Sequence, residues 1–138
     1  MDMDLKMNVK LALKTLPNKK MTNNMLNGGN DAYYAWKEKS EETIDELADA
    51  IIEAYPALNH IGEITDDGVT KTFFADWDID LDDQLYVSFS ADVDDYEDRT
   101  FIKARIHHNE EDDITIELNN KTIKTIISAL DEINANMK

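Results

Sequence analysis

Apolar residues recur at two different periods along this chain, and the change falls near residue 58. Before it, Leu5, Val9, Ala12, Leu13 and Leu16 stand three and four apart, which predicts a short amphipathic helix stopped at Pro17. The stretch NKKMTNNMLNGGN, residues 18–30, holds Gly28, Gly29 and many asparagines without a period, and reads as a loop. Asn30 or Asp31 can accept hydrogen bonds from the first free amides of a second helix. That helix is expected to run to about Tyr55, because the residue before Pro56 is pushed away from helical backbone. Its apolar stripe is Ile44, Leu47, Ala48, Ile51, Ile52 and Tyr55, and the opposite face carries Glu38, Glu42, Glu46, Asp49 and Glu53.

From residue 58 the period becomes two, the mark of strands with one buried face. Strands are expected near 59–65, 69–81, 84–93, 99–108 and 112–118. Asp66-Asp67-Gly68 is a hairpin-turn signal, and Asp82-Asp83 suits a second tight turn. The inward set is Val69, Phe73, Ala75, Trp77, Ile79 and Leu81, then Leu85, Val87, Phe89, Ala91 and Val93. Ile102, Ala104, Ile106, Ile114, Ile116 and Leu118 continue it. A last helix begins at an Asn119 or Asn120 cap, with Ile123, Ile126, Ile127, Leu130 and Ile133 as its stripe. Short connections favour an α+β fold in one domain over 1–138. In it, helices in 1–57 precede an antiparallel meander of four or five strands in 58–118. A C-terminal helix in 119–138 packs on that sheet.

A chain of 138 residues can bury a core without staples, and with no cysteine it has neither disulfides nor thiolate chemistry. No apolar run approaches the roughly 20 residues that span a bilayer, and the first twenty residues alternate charged with apolar rather than forming a secretory signal. A cytoplasmic protein with no membrane partner is expected. Charge changes the picture more. There are 14 Lys and Arg against 30 Asp and Glu, a formal charge of −16. Residues 1–20 hold five lysines against two aspartates, or +3, so the rest of the chain carries −19. Such a balance repels a nucleic-acid backbone and favours basic partners.

The acids are not spread evenly. Asp76, Asp78, Asp80 and Asp82 alternate with Trp77, Ile79 and Leu81, so the strand pattern puts them on one wet face. With Asp83, Asp92, Asp94, Asp95, Glu97 and Asp98 they make ten carboxylates between residues 76 and 98, and no Lys or Arg lies among them. A calcium loop needs Gly at its sixth position and Glu at its twelfth; counted from Asp76 those hold Leu81 and Val87. Carboxylates on alternate strand positions also stand about 6.6 Å apart and parallel, which does not converge on one ion. His107 and His108 are adjacent and face opposite ways, and His60 has no visible partner. The serines sit in no nucleophile elbow, and NGGN is too short for a phosphate loop. The reading is therefore no enzyme, no metal and no cofactor. Tyr33, Tyr34 and Trp36 read as core or cap packing. Phe74, turned outward beside Asp76, and Tyr86 on the neighbouring strand would add apolar contact to the acidic face.

Rows at this spacing approach the linear charge density of a duplex, which carries one phosphate per roughly 3.4 Å on each strand. The DWDIDLDD and DVDDYED runs and the Glu38–Glu53 helix face resemble the small acidic inhibitors that phages and mobile elements encode, the DNA-mimicking anti-restriction and anti-CRISPR proteins. The resemblance is one of class, since those inhibitors share no fold. It implies a basic nucleic-acid-binding protein as partner, with a CRISPR nuclease favoured because its PAM-reading arginines and duplex channel are cationic. The contact would run through Asp76, Asp78, Asp80, Asp82, Asp83, Asp92, Asp94, Asp95, Glu97, Asp98, Phe74 and Tyr86, and no nucleic acid would bind the acidic face directly. An immunity protein against a basic nuclease toxin shares these electrostatics, and an acidic phage accessory protein without inhibitory role is the third reading. The sequence leaves the oligomeric state open.

Overall fold

The period-two half of the chain folds as an antiparallel meander. The structure, a computed structural model, describes residues 2–13, 30–65, 68–75, 84–94, 99–108 and 112–136. The strands are β1 (Asn59–Thr65), β2 (Gly68–Phe74), β3 (Tyr86–Asp94), β4 (Arg99–His107) and β5 (Ile114–Glu117), lying side by side in chain order. Thr65 pairs with Gly68, so β1 and β2 join across two residues, as the Asp66-Asp67-Gly68 signal predicts. The described helices are α1 (Asp2–Leu13), α2 (Asn30–Ala54) and α3 (Ile123–Ala135). The fold is α+β, with helices at both ends of the described chain and a five-stranded sheet between them.

Alternation decides which sheet face is covered. Phe73, Val87, Phe89, Ala91, Ile102, Ala104 and Ile106 share one side and join Ile44, Leu47 and Ile51 of α2 in a single core. The whole α3 stripe (Ile123, Ile126, Ile127, Leu130 and Ile133) is buried in the same core, together with Leu5 and Val9 of α1. α2 lies on β2 and β3, α3 on β3 and β4, and α1 against α2. The Tyr55 hydroxyl, just past the end of α2, donates to the Asp131 carboxylate of α3 at 2.5 Å. Gly62 faces Lys71 across β1 and β2, and a Cβ there would lie 2.8 Å from Lys71 Nζ. Its missing side chain leaves room for that lysine to cross the edge strand.

Three expectations need correction. The strand expected over 69–81 stops at Phe74 with a bend at Ala75; the inward positions Trp77, Ile79 and Leu81 and the Asp82-Asp83 turn lie outside the described residues. Ile114, expected inward, is exposed, because β5 is a four-residue edge strand and Ile114 pairs with Ile106 at its outer end. The last helix begins at Ile123 rather than directly after Asn119. Asn119 instead folds a turn: its Oδ1 accepts from the amides of Lys121 (2.8 Å) and Thr122 (3.1 Å), while Thr122 Oγ1 donates to the Glu117 carbonyl at 2.6 Å. The N-cap position itself is Thr122, with no side-chain capping hydrogen bond, so the Asn119 turn precedes the helix rather than capping it.

Ser40 sits on the buried side of α2, fully enclosed, and its hydroxyl has no hydrogen-bond partner. A buried, unsatisfied hydroxyl costs stability, and alanine is the better helix former. Ser40→Ala is expected to raise unfolding free energy by about 1 kcal/mol, read as a higher urea midpoint with an unchanged slope.

Candidate functional site

The longest described run of like charge lies on α2. Buried and exposed positions separate cleanly around this helix: Ser40, Thr43, Ile44, Leu47, Ala48, Ala50 and Ile51 are buried, while Glu38, Glu42, Asp45, Glu46, Asp49 and Glu53 are exposed. Glu41, half-buried, joins the acidic side. At 100° per residue all seven carboxylates fall within an arc of about 140° and extend about 22 Å along the axis. Periodicity alone gives five of them; Asp45 and Glu41 complete the stripe because they fall three and four residues from its members. Among the described residues two cations reach it. Lys39 Nζ stands 3.3 Å from Glu42, and Lys71 Nζ lies 3.8 Å from Asp45. Glu42 is about half exposed and Asp45 more so, so each pair contributes on the order of 0–1 kcal/mol and leaves the row strongly anionic.

The strand-borne acids divide differently. Asp76, Asp78, Asp80, Asp82 and Asp83, with Asp95, Glu97 and Asp98, lie outside the described residues. Asp94 is the last residue of β3, in register with Arg99 of β4. Asp92 is on the sheet face opposite the helices, and its Oδ2 accepts from Lys103 Nζ at 3.1 Å. This changes the account of an acid run free of counter-charge: no basic residue lies within it in sequence, but β4 brings Lys103 beside Asp92 from eleven positions away.

Phe74 and Tyr86 are neighbours across β2 and β3, as the strand pattern requires, but neither is a surface contact. Phe74 is 4% and Tyr86 9% exposed, which overturns the expectation of an apolar tip on the acidic face. The Tyr86 ring stacks on His107 with centroids 4.8 Å apart. The aromatic assignment reverses at Tyr34 too, expected to pack and in fact 63% exposed on α2.

The two adjacent histidines do point apart. His108 Nε2 lies 3.4 Å from Glu132 of α3, while His107 Nδ1 shares a hydrogen bond with Asp113 Oδ1. Arg105 Nε donates to Asp113 Oδ2 at 2.6 Å, so one carboxylate clamps β4 to the chain entering β5. Sequence inspection shows these residues but not this meeting, which depends on how β4 turns into β5. The hydrogen bond with His107, then that from Arg105, hold the Asp113 carboxyl below its ordinary 3.8. A carboxyl whose folded value is depressed contributes stability above its unfolded value and loses it as pH falls through the folded one. Asp113→Asn is therefore expected to lower the urea midpoint by a constant amount above about pH 5. That difference should shrink as pH falls below 3.8 and vanish below the folded value. A pH series of urea melts on both proteins measures it.

Among the described residues no group of three or more His, Asp or Glu is placed to hold a metal ion, and no helix is long and apolar enough to cross a membrane. Comparison with known families, with curated proteins and with solved structures finds no match for this chain. The α2 row, with Tyr34 at its head, is the described surface with the most pronounced chemistry.

Proposed function

We propose that this protein is an acidic inhibitor that occupies the cationic nucleic-acid groove of a basic nuclease, a CRISPR nuclease being the favoured target, and that it acts by charge mimicry. The observation that carries the reading is the α2 row: seven carboxylates on one helix face, six of them exposed, with two exposed ion pairs as partial neutralisation. Such a row is held at the expense of self-repulsion, since like charges three or four apart on a helix cost about 0.2–0.5 kcal/mol each. A cationic groove relieves that repulsion and gains complementary potential, which speeds encounter and fixes register. Rigidity supports the reading as well. The helix is anchored in the core through Ile44, Leu47, Ala48, Ala50 and Ile51, so the backbone that carries these carboxylates needs little further ordering on binding.

The acids of 76–98 extend the proposed surface. Asp92 is its weakest member, because binding would have to displace Lys103. The test is an order-of-addition assay with a type II CRISPR nuclease loaded with guide RNA. Protein added before target DNA is expected to abolish DNA binding, and protein added after DNA has bound to have much less effect. Equal inhibition in both orders would place the contact away from the groove and reject mimicry.

A further inference from the structure

The sheet has an open edge at β1. This strand pairs with β2 on one side and with no described element on the other, and His60, Ile61 and Gly62 at its middle are all exposed. In an antiparallel sheet the N–H and C=O of one residue point to one neighbouring strand, and those of the next residue point to the other. The Leu118 amide donates to the Ile102 carbonyl at 2.7 Å, so the even-numbered residues of β4 face β5. Carried through the unbroken registers of β4 with β3, β3 with β2 and β2 with β1, this parity puts the N–H and C=O of His60, Gly62 and Ile64 on the free edge. Proteins blunt such edges with a lysine, a proline, a bulge or a short strand. The other edge, β5, has only four residues, whereas β1 runs seven without Lys, Pro or bulge.

The acidic helix stands beside this edge. α2 lies on β2 and passes into β1 through a turn in which the Leu58 amide donates to the Tyr55 carbonyl at 3.1 Å, so helix and strand run in opposite directions. Lys71 marks where they meet: its Nζ lies 2.8 Å from where a Cβ on Gly62 would stand and 3.8 Å from Asp45 Oδ1. Glu41 and Asp49 sit one turn to either side of Asp45, about 6 Å along the axis, and no described cation reaches them. Two residues of an antiparallel strand cover about 6.8 Å, nearly the same step.

We propose that β1 takes up an extended, basic peptide segment of a partner protein as a sixth, antiparallel strand. Residues of that segment opposite His60, Gly62 and Ile64 exchange hydrogen bonds with the free edge, and their side chains fall on the helix side of the sheet. Lysine or arginine at the two outer positions then meets Asp49 and Glu41, while a small residue opposite Gly62 leaves Lys71 in place. The intervening side chains fall on the other face, where an apolar one covers Ile61, 45% exposed. Charge selects this occupant over a second copy of the chain. β1 itself brings no Lys or Arg to the carboxylates beside the edge, and two chains of −16 repel each other where a basic segment is attracted. The proposal is independent of DNA mimicry, because the backbone of β1 makes the contact whatever occupies the rest of the α2 row.

The probe is the peptide acetyl-Thr-Lys-Val-Thr-Val-Lys-Thr-amide, titrated into the whole chain and followed through the backbone amide resonances of β1. Saturable shifts at His60, Gly62 and Ile64 are expected, weakening with salt. Side chain and hydrogen bond are tied to the same positions, so N-methylating both lysine amides should weaken binding at least tenfold, and N-methylating both valine amides should leave it nearly unchanged. The analogue with glutamate for lysine should not bind. Gly62→Pro removes an outward donor and leaves the ladder to β2 whole, so it should also cost at least tenfold with far-UV circular dichroism unchanged. The N-methyl series uses the unaltered protein and gives the answer should that variant misfold. The absence of saturable shifts up to millimolar peptide overturns the proposal. So does equal binding of the two N-methylated peptides or a greater loss from the valine set, and so does a glutamate analogue that binds as well as the parent. A dimer of this chain formed through β1 that the peptide does not displace would give the edge to a second copy and overturn it too.

Discussion

Phe73→Ala is expected to destabilise the protein by about 3–5 kcal/mol. Phe73 is fully enclosed, lies edge-on to Phe89 with centroids 6.0 Å apart and stacks against His60 at 5.9 Å. It sits in β2 where α2 crosses the sheet, so the cavity left by its ring is walled by both layers and closes poorly. Domains of this size have only about 5–15 kcal/mol in total, so the variant should be marginal at ordinary temperature. Equilibrium urea unfolding with two probes measures it, and a loss under about 1 kcal/mol would mean that the ring is not a core element. The adjacent residue supplies a control on register. Phe74 is also buried but stands outside the main core, on the face opposite the helices, so Phe74→Ala is expected to cost less.

Neutralising the α2 row should have opposite effects on stability and on binding. Replacing Glu38, Glu42, Glu46 and Glu53 with Gln keeps size and helix propensity while removing most of the like-charge neighbours on that face. The Lys39–Glu42 ion pair is lost, but it is half exposed and contributes little. The fourfold variant is expected to be about 1–2 kcal/mol more stable than the parent at low salt, with the gain shrinking as salt rises. Its affinity for the cationic target should fall by roughly 10²–10³-fold. A residue set whose removal strengthens the fold and abolishes binding is there for the binding. If stability rises and the target is held as tightly as before, the row is a solvated face and the acids of 76–98 carry the contact.

Much of this architecture is legible in the sequence wherever one period governs a whole element. β1 is found at 59–65 as the alternation predicts, and the α3 stripe is buried at every expected position. Leu85, Val87 and Phe89 are buried as the strand pattern requires. The α2 row is legible for the same reason, since a helix long enough to repeat its pattern several times separates its faces plainly. What sequence reading misses comes from outside the element. Phe74 and Tyr86 are buried on a face that alternation marks as wet. Lys103 reaches Asp92 only because β3 and β4 pair in one register, and Asp113 meets Arg105 and His107 only because β5 returns beside β4. Charge counted along the chain therefore overstates how bare Asp92 is, and it misses Lys71 of β2 beside Asp45 as well, although the remaining carboxylates of the α2 row are neighbours in sequence as in space.

The central claim is that the protein and nucleic acid occupy one groove. Its most direct test is a titration of guide-loaded CRISPR nuclease with labelled target duplex at a series of fixed concentrations of this protein, using a catalytically inactive nuclease. Mutually exclusive binding predicts that the apparent Kd for DNA rises in proportion to the concentration of this protein without reaching a plateau, and that the fourfold α2 variant shifts this rise to much higher concentration. An apparent Kd that levels off, so that nuclease, protein and DNA form a ternary complex, or one that does not move at all, would contradict the account.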